Sequence, residues 1–352
     1  MNVNIAYFNP YYSQNFVSFF YTLFYRLYNF FTGNLSFEDI AADELQMLVL
    51  IGVAVSSALV GSFLVLRKMT MLANSLSHTI LLGIVLAYMF TRSSFGSYDH
   101  GGIDISVMFI AAIFTGLVTT FLTEILIKVI KLQEDASTGL VFSAMFAMGI
   151  ILVSLFTRNA HIGIEVVMGN VDALHIDDLK LVYLILVLNV VIFFALFKEF
   201  EITSFDSQLA KSLGISTVFF NYLLMIQVAA TAVGAFRAVG VLMVLAFIVG
   251  PPLTARLLTD RLEKMLLIAS LLGSLASIVG VALSRHLLSV YQMPLSTAGL
   301  VVCIIASFYV LVLIIAPGKG LLSKRRCKSF VKQKIKNSND HLNLNKDLES
   351  GM

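Results

Sequence analysis

Charged residues are scarce in this chain: Asp, Glu, Lys and Arg make up 13 % of its 352 residues, where about 25 % is usual for soluble domains. So little charge cannot cover a water-soluble globule of this size. Apolar residues reach 58 % against the usual roughly 45–50 %, which points to lipid as the solvent. Cysteine is equally sparse. Cys303 lies in an apolar run and Cys327 in a basic tail, environments that no disulfide would join in a reducing cytoplasm, so no redox framework is implied. No Lys or Arg precedes Arg26, and no small-residue cleavage pattern follows a short apolar core, which is unlike a cleaved signal peptide. Three signatures are missing from the chain: the G-x-x-x-x-G-K-S/T phosphate loop, the H-E-x-x-H metalloprotease helix and the G-x-S-x-G nucleophile turn. Whatever supplies energy is therefore not in this chain, and nothing points to a nucleic-acid partner.

What is present is a series of apolar runs. An all-α, polytopic membrane protein is predicted, with spans at Leu45–Leu66, Asn74–Phe90, Val107–Ile127, Thr138–Thr157, Leu181–Phe197, Thr217–Phe236, Ala238–Ala255, Met265–Ser284 and Ser296–Pro317. That gives eight or nine crossings, since two runs joined by a tight turn could make a partial one. Before them, residues 1–44 carry the aromatic stretch Phe16–Phe31, too short for a span and suited to the membrane interface. The spans occupy 45–317, and the tail 318–352 turns basic and then polar, as a disordered segment attracted to anionic lipid would. Of the 24 Lys and Arg, eighteen fall on the side of Arg67, Lys128, Lys211 and the tail, and five on the side of Arg92 and Arg285. The positive-inside rule then places the C-terminus in the cytoplasm.

Four stretches could carry function. Ala238–Ala255 is an uncharged run of eighteen residues between Arg237 and Arg256, interrupted by Pro251 and Pro252. Proline in a span frees backbone carbonyls that must find partners in protein or in a water-filled path. In residues 61–83, Asn74 and His78 lie four apart and so share one helix face. A membrane histidine faces either a cavity or a hydrogen-bonding neighbour. In residues 204–216, Ser204 or Asp206 can cap a short helix ending near Gly214. The outer loop between the fourth and fifth spans, with His161, Glu165, Asp172, His175, Asp177 and Asp178, reads either as a solvated loop or as a guide for a cation. Ala269, Gly273 and Ser277 would let a second helix approach closely, and Glu124 would pair with Lys128 at the span edge.

Three of these stretches, AVGVLMVLAFIVGPPLTAR, GSFLVLRKMTMLANSLSHTILLG and SFDSQLAKSLGIS, occur in the same order in a known family. They resemble signatures of the membrane subunits of bacterial ABC importers for zinc, manganese and iron, and the outer loop VVMGNVDALHIDDL matches more weakly. The resemblance implies an inner-membrane permease that carries a divalent metal ion as cargo, with no permanent cofactor and no catalysis of its own. Its partners would be an ABC ATPase subunit, a metal-binding solute-binding protein, a second permease and membrane lipid. In that family an Asp and a His four apart line the metal path. Here the His is kept as His78 and the Asp is replaced by Asn74, an uncharged and weaker ligand. Phe205, Asp206, Leu209, Ala210, Gly214 and Ile215 match the coupling helix that docks into the ATPase. Pro251 and Pro252 match the kinked helix. The rival reading is a secondary transporter driven by an ion gradient, which calls for charged residues paired deep in the spans.

Overall fold

A computed structural model describes residues 10–11, 14–33, 40–95, 105–156, 171–172 and 174–316. Among the described residues it is all helix, with no strand. The helices are α1 (Phe16–Phe31), α2 (Ala42–Leu66), α3 (Thr70–Phe95), α4 (Ile105–Lys128), α5 (Glu134–Phe156), α6 (Ile176–Ala195), α7 (Phe197–Phe205), α8 (Ser207–Ser212), α9 (Thr217–Val239), α10 (Val241–Leu258), α11 (Leu262–Tyr291) and α12 (Thr297–Ile315). Seven of these, α2, α5, α6 and α9 to α12, are long and apolar enough to cross a membrane. At 26 and 24 residues, α3 and α4 have the length as well. Residues 96–104, 157–170 and 317–352 lie outside the described residues. They hold His161, Glu165 and much of the outer loop, and all of the tail.

The centre of the bundle is α2. Its serines, alanines and glycines leave room for backbones to approach, and α6, α9, α10 and α11 all pack on it. Along α11 the small-residue stripe faces α2: Gly273 abuts Ala54, Ser277 Oγ reaches the Leu50 carbonyl at 3.5 Å, and Ala269 is buried with Ala58 and Val65. Between α2, α6 and α9 sits a polar knot, in which the buried Asn189 amide donates to Ser56 Oγ and Thr231 Oγ1, both at 2.7 Å. In an apolar surround such bonds fix helix rotation, because an unmade one costs far more than in water.

The double proline does not break α10, which runs unbroken from Val241 to Leu258. The span expected to start at Ala238 starts instead at Val241. Ala238 and Val239 close α9, and the turn into α10 is made by Gly240 alone, at φ +79°, a conformation that a Cβ disfavours. Pro251 and Pro252 lack the N–H groups that Phe247 and Ile248 carbonyls would accept one turn back. The freed Ile248 carbonyl points at Gly61 of α2, so close that a Cβ there would overlap it. Glycine's Cα–H is what meets that oxygen, a weak but recurrent contact between helices.

Most of the core is one cluster running through α2, α6, α7 and α9 to α12, around Leu50, Phe63, Leu224, Phe236 and Phe247, and it takes in Phe19 of α1 and Leu72 and Ala73 at the start of α3. α4 packs along α9. Leu82, Val141 and Met145 form a separate small cluster joining α3 and α5, with Val118 and Leu126 of α4 packed against it. Where α2 meets α3 the chain turns through Lys68, a non-glycine residue at φ +61°.

Candidate functional site

The short helix α8 is built as its sequence predicts. Asp206 Oδ1 accepts the N–H groups of Gln208 at 2.9 Å and Leu209 at 3.0 Å, so Asp206, not Ser204, is the N-cap. At the other end Gly214 takes φ +78°, its N–H donates to the Lys211 carbonyl at 3.1 Å, and the Ile215 N–H donates to Ala210 at 2.9 Å. These two bonds form a Schellman stop, which needs a left-handed residue and therefore suits glycine. The six motif residues divide by role. Ala210 is fully buried and Ile215 packs against the main core, so these two seat the helix. Phe205 and Leu209 point outward, 59 % and 49 % exposed. Leu213, at 58 %, joins them one turn beyond Leu209. Sequence reasoning missed Leu213, although its i, i+4 spacing from Leu209 marks the same face. The capped six-residue helix and the residues flanking it thus present three large apolar side chains to the outside.

Behind α8, Arg67 at the C-cap of α2 gathers the local elements. Its guanidinium donates to Thr203 Oγ1 at 2.9 Å, to Ser204 Oγ at 3.1 Å and to Asn221 Oδ1 at 3.4 Å. It therefore ties α2 to the end of α7 and to α9 just past its first turn. The three acceptors are neutral, and burial lowers its pKa from the ordinary 12.5 to about 10, which still leaves it cationic at neutral pH. The sequence reading had counted Arg67 only as charge on the basic side. Arg67→Met keeps the apolar stem and leaves both hydroxyls bonded to their own helix carbonyls. It should weaken this link by about 1.5–3 kcal/mol. Hydrogen exchange across 203–216 should then rise by at least about tenfold, and unchanged exchange would show that Arg67 does not hold the segment.

The second place of interest is on α3. Asn74 is exposed, and His78, on the same face one turn on, is half-buried. The imidazole lies beside Phe142 and Phe146 of α5, at centroid distances of 5.3 and 5.4 Å, and those two rings stack on each other at 5.7 Å. These phenylalanines limit the directions from which His78 can be reached. Among the described residues no three His, Cys, Asp or Glu converge as a metal cage. Asp172, His175, Asp177 and Asp178 of the outer loop serve local structure: Asp172 accepts from Gln46 and Thr297, Asp178 from the His175 N–H, and Asp177 from Lys180. Glu124 pairs with Lys128 as expected, and also accepts from Tyr222 of α9, so it joins α4 to α9.

Comparison with known proteins follows the same outline. A "Probable metal transport system membrane protein" of Chlamydia trachomatis serovar D is 40 % identical over 322 residues, covering 92 % of this chain and 98 % of that one. The manganese transport system membrane protein MntD of Bacillus subtilis is 37 % identical, over 78 % of this chain and 92 % of its own. Among solved structures, PsaBC from Streptococcus pneumoniae in complex with Fab matches with a TM-score of 0.66 at 26 % identity, covering 80 % of this chain and 94 % of that chain. Residues 44–316, which hold every long helix, α8 and the Asn74/His78 pair, match the ABC 3 transport family, and the chain belongs to that family as a multi-pass membrane permease.

Proposed function

We propose that this permease imports a divalent transition metal ion across a bacterial inner membrane, driven by a separate ABC ATPase that docks on α8. The observation that carries the reading is the outward triad Phe205, Leu209 and Leu213, on and beside a helix capped at both ends. A partner's groove would bury it at about 1.5–3 kcal/mol per large side chain. An external solute-binding protein would deliver the ion at the opposite end of the bundle, and α8 and the C-terminus would face the cytoplasm. Relatives in this family include one named for manganese transport. Imidazole and amide ligands suit several first-row metals, so the cargo is proposed as a class.

Two copies of this chain would offer the ion only neutral ligands, Asn74 and His78 from each. An uncompensated dication in a low-dielectric path costs several kcal/mol even after relaxation, as a rough estimate. The second permease is therefore proposed to be a related chain that keeps a carboxylate at the matching position. The test is radiometal uptake in cells with and without this subunit, with manganese, zinc and iron compared. His78→Ala should cut uptake at least about tenfold, the loss of one ligand-scale interaction, while Asn74→Asp should preserve or strengthen it. Unchanged uptake in His78→Ala at matched expression overturns the metal-path assignment. Transport by this chain alone with the ATPase overturns the pairing with a different permease.

A further inference from the structure

The helix α1 precedes the family match and lies across one end of the bundle. Its two anchors show how. The Phe16 N–H donates to His286 Nδ1 of α11 at 3.2 Å, and Arg26 pairs with Glu44 of α2 at 2.5 Å, where Tyr11 also donates to Glu44 at 2.7 Å. Asp43, next to Glu44, pairs with Arg285, next to His286, so both anchors sit at the same level of the antiparallel α2 and α11. Ten residues of helix rise about 15 Å. Had α1 run alongside α2, Phe16 would sit that far down the bundle. It instead returns to the same level, so α1 runs across the helix ends.

Its two long faces are both apolar. Phe19 is buried, and Phe16, Phe20 and Leu23 pack on the main core. The exposed side chains of α1 are Val17, Tyr21, Phe24, Tyr25, Leu27 and Tyr28, and none is charged. Surfaces that meet a soluble protein keep a polar or charged rim around an apolar centre, and a face in water would need charge to stay soluble. Three tyrosines with Phe, Leu and Val, on a helix lying in the plane where the spans end, match the belt in which aromatic rings bridge headgroups and acyl chains.

We propose that α1 is an in-plane anchor whose outer face is embedded in the headgroup–acyl boundary of the membrane, at the end of the bundle opposite α8. The occupant of that face is lipid. The chain contains no tryptophan, so Tyr21→Trp, Phe24→Trp and Tyr28→Trp each introduce one fluorophore at an exposed position without disturbing the core. The assembled transporter would be placed in lipid nanodiscs brominated either near the headgroup or near the bilayer centre, and the parent complex's emission subtracted. All three variants should lose more emission to the shallow bromines than to the deep ones. Greater quenching by deep bromines would mean that α1 spans the membrane. Quenching by neither would place the face in water or against protein, and a spectral shift on adding the solute-binding protein would identify that protein as the occupant. Any of these results overturns the proposal, and none depends on which ion is carried.

Discussion

Leu209→Lys combined with Leu213→Lys should reduce ATP-dependent metal uptake to background and remove the ATPase from the purified complex, while the permease still inserts at parental levels. Both side chains already face away from the fold, so the double substitution leaves core packing alone. A lysine in each place removes about 3–6 kcal/mol of apolar burial from the docking surface, on the order of 10²–10⁴ in affinity, before any cost of burying ammonium groups. Asp206→Ala acts on the same surface more gently, loosening the helix by about 1 kcal/mol through loss of its cap. Co-purification of the ATPase with the double variant, together with normal uptake, would remove α8 from the coupling role.

Gly61→Val should have the largest effect on the fold itself. The added side chain would meet the Ile248 backbone carbonyl, which cannot rotate out of the way, so α2 and α10 must separate. Overpacking of this kind costs about 1–3 kcal/mol or more, and here it also pushes the glycine away from an oxygen that Pro252 has left without its helical donor. Recovery of monodisperse protein in detergent should fall sharply and its melting temperature with it. Gly139→Ala and Gly299→Ala, where a Cβ would meet nothing within 4 Å, should behave as the parent does. A Gly61→Val protein with parental yield and melting temperature would mean that the two backbones are not in contact.

Much of this architecture is legible in the residues because lipid imposes strong rules on a chain. Long apolar runs must become helices, and Asp206 and Gly214 carry local capping chemistry that needs no tertiary context. The segment Phe16–Phe31 forms a helix with those same bounds. Where the reading and the structure part, long-range packing decides. No local rule says that Pro251 and Pro252 can be kept inside a continuous helix; the glycine that sits beside the freed carbonyl is almost two hundred residues away in sequence. Arg67 looks like one more basic residue at a span edge until Thr203, Ser204 and Asn221 are brought to it by the fold. The aromatic walls of His78 come from α5 and leave no trace near the histidine. Leu213 was the one omission that local periodicity could have supplied.

The way α3 is shared between the two packed clusters bears on how force could pass through the bundle. α8 is seated on the main core through Ala210, Ile215 and the Arg67 link, and α3 starts on that same core through Leu72 and Ala73, beside Asn74, before Leu82 joins it to the small cluster. The chain enters α3 through the tight turn at Lys68, and α4 packs along α9, where Tyr222 meets Glu124. Under the proposed reading, a push at the ATPase moves the main core first and reaches His78 along α3 and across the α4–α9 seam. The machine then has a gear ratio. Its stroke at the metal would be set by the stiffness of α3 and of that seam, and could be retuned at the seam without touching a ligand or the docking face.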